Sequence, residues 1–183
     1  GDFTLASGKK SSYYIDLRLV ASFPHIFRKM IKNLQKLVSE KTGLDNFDSL
    51  VSVPTGGLII GSALAIETVK PLIYVRDKPK DYGTTKSIEG KISSGMKVVL
   101  IDDVITTGNS VINGIKQLKN AGLSISDVYV IINRLEGASN ALKLEEVNLY
   151  QLTDVLEITK ILFQEKLVSK EILDKINNQI SQN

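Results

Sequence analysis

Short apolar runs alternate along the chain with stretches of helical spacing, and that alternation restricts the fold more than any single motif. Leu50 to Val53, Leu72 to Val75, Val98 to Ile101, Asp127 to Ile132 and Val147 to Leu152 each read as a buried strand. Between them the period becomes helical. Phe23, Phe27, Met30, Ile31, Leu34, Leu37 and Val38 share one face of a helix predicted from Phe23 to Thr42, with Ser22 as N-cap, Pro24 in the first turn and Gly43 as stop. Leu58 to Thr68 gives a second, apolar helix; Val111, Ile115 and Leu118 mark a third from Ser110 to Gly122. Such βαβ units predict an α/β fold: a mostly parallel central sheet with helices on both faces and right-handed crossovers. Sites in these sheets lie beyond the strands' carboxyl ends. That rule gathers Pro54 to Gly57, the segment after Val75, the Asp102-Asp103 loop and the segment after Ile132 on one rim.

The 183 residues suit a single domain, and the chain's start, strand-like and without an initiator methionine, predicts that an N-terminal segment precedes it. With 43% hydrophobic and 23% charged residues, composition argues against a disordered or membrane protein. The longest apolar stretch, Leu50 to Ile66, is broken by Pro54, Gly56, Gly57 and Gly61. Without cysteine or a charged leader, a reducing cytoplasm is the expected compartment. The net charge of +3 is too small to mark a nucleic-acid binder. Asp77 to Ser94 lacks periodicity, contains Pro79, Gly83 and Gly90, and carries Lys78, Lys80, Lys86 and Lys91. A loop that long in a compact domain is a lid candidate. His25, near a helix start, reads as a surface or capping residue.

The stretch "VVLIDDVITTGNS", Val98 to Ser110, runs from a buried strand through two aspartates into a small hydroxyl-rich loop. Backbone N–H groups and hydroxyls from Thr106 to Ser110 would converge at a helix start, where the dipole favours an anion such as phosphate. No Gly-Lys-Ser/Thr follows the glycine and no G-x-G-x-x-G is present, so a sugar monophosphate fits better than a nucleoside triphosphate. Asp102 and Asp103 can accept hydrogen bonds from ribose hydroxyls and hold Mg²⁺ directly or through water. The same residues also suit a plain strand-end turn and N-cap.

All thirteen residues resemble the phosphoribosyl pyrophosphate signature of the type I phosphoribosyltransferases. "FTLASGKKSSYYID" near the start, "RDKPKDYGT" after Val75 and "NRLEG" after Ile132 resemble the orotate phosphoribosyltransferases in the same order. The resemblance implies a small hood from the N-terminal region over the sheet, and a Mg²⁺-dependent transfer of ribose 5-phosphate from phosphoribosyl pyrophosphate to orotate. It implies Asp102 and Asp103 for the ribose and its metal, with Thr106, Thr107, Gly108, Asn109 and Ser110 as the 5′-phosphate loop, and Val104 and Ile105 among the residues that bind phosphoribosyl pyrophosphate. Arg76, Lys80 and Tyr82 are implied at the pyrophosphate, from a lid about 77–94 that acts across a homodimer. Lys80 joins the aspartates as a catalytic candidate. Tyr14, Ile15, Thr106 and Arg134 are implied around orotate, Arg134 offering its planar fork to the carboxylate.

Three positions depart from bacterial relatives by losing a positive charge: Ala6, Asp77, and Pro54-Thr55-Gly56-Gly57, which lacks a lysine. Lys78, Lys9 and Lys10 are candidate replacements. The signature by itself also serves phosphoribosyltransferases for other bases, or a regulator that senses phosphoribosyl ligands without catalysis. A decarboxylase fused in one chain exceeds this length.

Overall fold

Side chains alternate between two apolar layers along the central strands of the computed structural model, which describes residues 3–4, 10–11, 13–76 and 87–181. Val98 and Leu100 of one strand face one apolar layer, and Val99 and Ile101 face the other. Both faces are therefore covered, as a parallel sheet requires. In chain order the strands are β1 (Phe3–Thr4), β2 (Lys10–Ser11), β3 (Ser49–Ser52), β4 (Leu72–Val75), β5 (Ile88–Glu89), β6 (Lys97–Ile105), β7 (Ser124–Asn133) and β8 (Asn148–Asp154). β1 and β2 pair antiparallel, apart from a sheet ordered β5-β4-β3-β6-β7-β8 that is parallel except for β5. Ile31, Leu34 and Val38 of α1 (Pro24–Lys41) and Ile60 and Leu64 of α2 (Gly56–Thr68) cover one face. Val111, Ile115 and Leu118 of α3 (Asn109–Asn120), with Ala138 and Leu142 of α4 (Ala138–Leu144), cover the other. α5 (Val155–Gln164) and α6 (Lys170–Ser181) pack on each other after β8.

The order of strands locates a site. β3 leads through α2 to β4 on one side, while β6 leads through α3 to β7 on the other. The crevice between the carboxyl ends of β3 and β6 is thus the topological switch point, where open α/β sheets bind ligands.

Several boundaries differ from the sequence expectations. Ser22 does not cap α1: it ends a tight helical turn, Arg18–Ser22, and Phe23 takes the N-cap position without a side-chain bond. Pro24 at the first turn has no N–H of its own to satisfy, one donor fewer at this helix start. Asp102 and Asp103 lie within β6 and not in a loop beyond it. β7 keeps pairing after β3 has ended, with Asp102 opposite Val130 and Ile105 opposite Asn133. α2 starts at Gly56 and α3 at Asn109, slightly before the predicted starts. Residues 77–86 of the expected lid lie outside the described residues; Ile88–Glu89 pairs antiparallel with β4 as an edge strand. Among the described residues no helix is long and apolar enough to cross a membrane.

Candidate active site

At the switch point two glycines let two carboxylates approach the start of α2. A β-carbon at Gly56 would overlap the Asp103 carboxylate, and one at Gly57 would lie 2.7 Å from Asp102 Oδ1 and 2.9 Å from the Ile101 carbonyl oxygen. The turn Pro54 to Gly57 is thus built from residues small enough to admit the acids, and α2's positive end faces them. Asp102 is 9% exposed, and its Oδ1 accepts the Asp103 N–H at 2.9 Å; Asp103 Oδ1 accepts the Val104 N–H at 2.9 Å.

Beyond the acids the chain turns into α3. Gly108, at φ 86°, occupies the N-cap in the left-handed region without a side-chain cap, leaving first-turn N–H groups for an anion. A cavity of about 130 Å³ opens there, lined by Asp102 and by Val104 through Val111. It brings together Asp102, Val104, Ile105, Thr106, Thr107, Gly108, Asn109 and Ser110 from the predicted set. A neighbouring cavity of about 390 Å³ has both Ser110 and Arg76 on its wall, so Arg76 borders the cradle. Its Nη1 is 3.1 Å from Glu89 Oε1, and its backbone N–H donates to the Ser87 carbonyl at 2.8 Å.

Arg134 follows β7, and its N–H donates to the Ile105 carbonyl at 2.9 Å, at the mouth of the cradle. Its side chain is buried, not presented on the surface. Nη2 meets Glu136 Oε1 at 2.8 Å and donates to Ser11 Oγ at 2.9 Å, while the guanidinium carbon sits 4.3 Å from the Tyr13 ring centre. Leu135 between them adopts φ 59°, which a leucine tolerates at some strain, and its N–H donates to Asn133 Oδ1 at 2.8 Å. Burial pushes the Tyr13 phenol above its usual range; Arg134 opposes the rise and Glu136 adds to it.

Residues 20–152 match the model of the phosphoribosyl transferase domain. The orotate phosphoribosyltransferase of Cenarchaeum symbiosum is 44% identical over 179 residues, covering 98% of this chain and 90% of the relative. The chain belongs to the orotate phosphoribosyltransferase family. Among solved structures, the orotate phosphoribosyltransferase of Aeropyrum pernix superposes with a TM-score of 0.78 at 33% identity, covering 92% of each chain. The UMP synthase of Leishmania donovani gives a TM-score of 0.89 at 29% identity; this chain is covered completely and spans 39% of that larger one.

The remaining residues expected from the family pattern are divided. Lys80 and Tyr82 lie outside the described residues. Tyr14 is 52% exposed, with its ring 5.9 Å from that of Phe3, and Ile15 packs on the α1–α2 side of the core. Sequence reasoning missed Arg18. Asp16 grips it from two sides, Nε to Oδ1 and Nη2 to Oδ2 both at 2.8 Å, and Nη2 also donates to the Tyr14 hydroxyl at 3.4 Å. Asp16's hydrogen bond and charge raise the Arg18 pKa, Tyr14 and Asp103 adding smaller contributions. "YYIDLR" carries no local sign of that; only the fold brings Arg18 toward β6. Tyr13 and Glu136 were likewise invisible as a pair.

Proposed function

We propose that the chain transfers ribose 5-phosphate from phosphoribosyl pyrophosphate to N1 of orotate, giving orotidine 5′-monophosphate and pyrophosphate on the route to UMP. The observation that carries this reading is the cradle at the α3 N-terminus with Asp102 on its wall, in a chain whose curated relatives are orotate phosphoribosyltransferases over nearly their full length. The cradle binds the 5′-phosphate through backbone N–H groups and the hydroxyls of Thr106, Thr107 and Ser110. Asp102 and Asp103 accept from the ribose hydroxyls and stabilise the positive charge that grows on the ribose as its bond to pyrophosphate breaks. Arg76 and Arg18 offset charge on the leaving group, joined by Lys80 and Tyr82 from the lid of a partner subunit. Thr106, Tyr14 and Ile15 border the base, and Arg134 receives its carboxylate.

The donor set fits Mg²⁺. The switch point offers carboxylate oxygens, the hard donors this ion takes. Asp102 and Asp103 would hold the ion through water or substrate oxygens; when bound, it supplies positive charge at the leaving group. We read the working unit as a cytoplasmic homodimer without nucleic-acid or membrane partners.

The test is a base panel: purified protein, Mg²⁺ and phosphoribosyl pyrophosphate, with orotate, uracil, adenine or hypoxanthine. Turnover confined to orotate is expected. Turnover of a purine, or none from folded protein, overturns the reading.

A further inference from the structure

The buried cluster around Arg134 is incomplete. Arg134 Nε, the Tyr13 hydroxyl and Glu136 Oε1 are all shut from solvent without a hydrogen-bond partner among the described residues. The 2.8 Å approach of Nη2 to Oε1 is an ion pair out of hydrogen-bond alignment, and the guanidinium carbon lies 4.3 Å from the centre of the Tyr13 ring. Arg134 is 2% exposed and Glu136 4%. Leaving several polar atoms unmatched inside a protein is unfavourable, and each calls for an explanation. Two of the three, Arg134 Nε–H and Tyr13 O–H, are donors. The missing element is an acceptor, and a carboxylate offers two oxygens.

We propose that Tyr13 and Glu136 set the selectivity of this enzyme for a base bearing a carboxylate: Tyr13 donates to that carboxylate beside Arg134, and Glu136 is the positioning counter-ion the ligand partly relieves. This rests on the reading of the chain as an orotate phosphoribosyltransferase and deepens it. Before substrate arrives, Glu136 neutralises a cation that would otherwise be buried alone, and the strained turn at Leu135 brings the two side chains to one side. Its negative charge weakens the pull of Arg134 on any second anion. Ser11 and Tyr13 cover the guanidinium from outside the central sheet, so a ligand that displaced them would leave β7 in place. A neutral base brings no acceptor for the unmatched donors and gains nothing from them.

Two variants of the full chain test this by steady-state kinetics and thermal melting with and without orotate. Tyr13→Phe removes only the hydroxyl. It is expected to raise KM for orotate about tenfold, the worth of one good hydrogen bond to a charged acceptor, with kcat and KM for phosphoribosyl pyrophosphate unchanged. Its Tm without ligand does not fall, because an unmatched buried hydroxyl has been removed, and orotate raises that Tm less than in the wild type. Glu136→Gln keeps shape and deletes charge: the ligand-free Tm falls, KM for orotate falls, and orotate raises Tm more than in the wild type. An unchanged orotate KM in Tyr13→Phe, or a drop in Tm with both substrates' KM rising together, overturns the proposal. So does a raised orotate KM in folded Glu136→Gln; if that variant does not fold, Tyr13→Phe decides alone. Wild-type protein that turns over no orotate sinks the functional reading instead, so the two failures are distinct.

Discussion

Gly56 is where one atom matters most. Its missing β-carbon leaves the space that the Asp103 carboxylate occupies, and the neighbouring Gly57 does the same for Asp102. The Gly56→Ala variant must therefore displace either the start of α2 or the acid. Small-to-large changes at packed positions typically cost about 1–3 kcal/mol. The functional loss should be larger, because a misplaced carboxylate can lower rate about 10²-fold. The expected result is a drop of that order in kcat/KM for phosphoribosyl pyrophosphate in protein that still melts cooperatively. An unaltered kcat/KM for this substrate would remove Asp103 from the ribose site. Around the acids, each described rim arginine is held by its own carboxylate: Arg18 by Asp16, Arg76 by Glu89 and Arg134 by Glu136. The two pairs that solvent reaches, at Arg18 and Arg76, stabilise the fold little, typically by about 0–1 kcal/mol. Their consequence is positional, since a restrained guanidinium loses less freedom when it binds an anion. The sequence lacks lysines at the expected pyrophosphate side, and the cation proposed there, Arg18, comes from a segment with no motif of its own.

At the scale of elements, α1 is tied to the sheet through its C-cap. Thr42 Oγ1 lies 2.6 Å from the Tyr129 hydroxyl of β7 and donates to Asp127 Oδ2 at 3.1 Å. Tyr129 is fully buried, and burial pushes its phenol up to about 12, the Thr42 hydrogen bond opposing and the Asp127 charge reinforcing the rise. The folded pKa is raised, so the stability contributed by the protonated phenol is fully present below the unfolded value of about 10 and is lost as pH rises through about 12. Denaturant melts between pH 9 and pH 12 should show the wild type losing about 2–3 kcal/mol more than Tyr129→Phe over that interval. Parallel pH profiles for the two proteins would rule this out. The elements themselves were legible wherever burial imposed a period: Val98 to Ile101 and Phe27 to Val38 announced a strand and a helix. The extension of β6 to Ile105 was not, because nothing in two aspartates signals a strand until β7 supplies partners more than twenty residues later. α4, at seven residues, is too short to display a helical period, although Gly137 before it, at φ 100°, marks its start once the fold is known. The Ser22 cap failed for a local reason, since Ser22 closes the preceding tight turn and leaves the cap position to Phe23.

For the whole molecule, the open question is how many chains make one site. The cation that grows on ribose during transfer must be kept from water, and the cover we propose is the stretch ahead of β5 that carries Lys80 and Tyr82. If that cover reaches across a dimer, each site contains Asp103 from one subunit and Lys80 from the other. Lys80→Ala and Asp103→Asn homodimers are then both inactive, for defects that fall on opposite sides of the same site. In a mixed dimer one site receives both defects and the other neither. Equal mixing with free exchange makes about half the dimers mixed, each with one of two sites intact, so about a quarter of wild-type activity should return. A lid acting on its own subunit puts one defect in every site, and mixing then restores nothing. The measurement is initial rate after the two variants are co-refolded, with subunit exchange verified by tagging one of them and isolating the mixed species. Activity near a quarter in the mixture, and near half of wild type in purified mixed dimers, places Lys80 on the partner's site. Mixed dimers as inactive as their parents would place the lid over its own subunit's acids, and the dimer would then have no part in building the site.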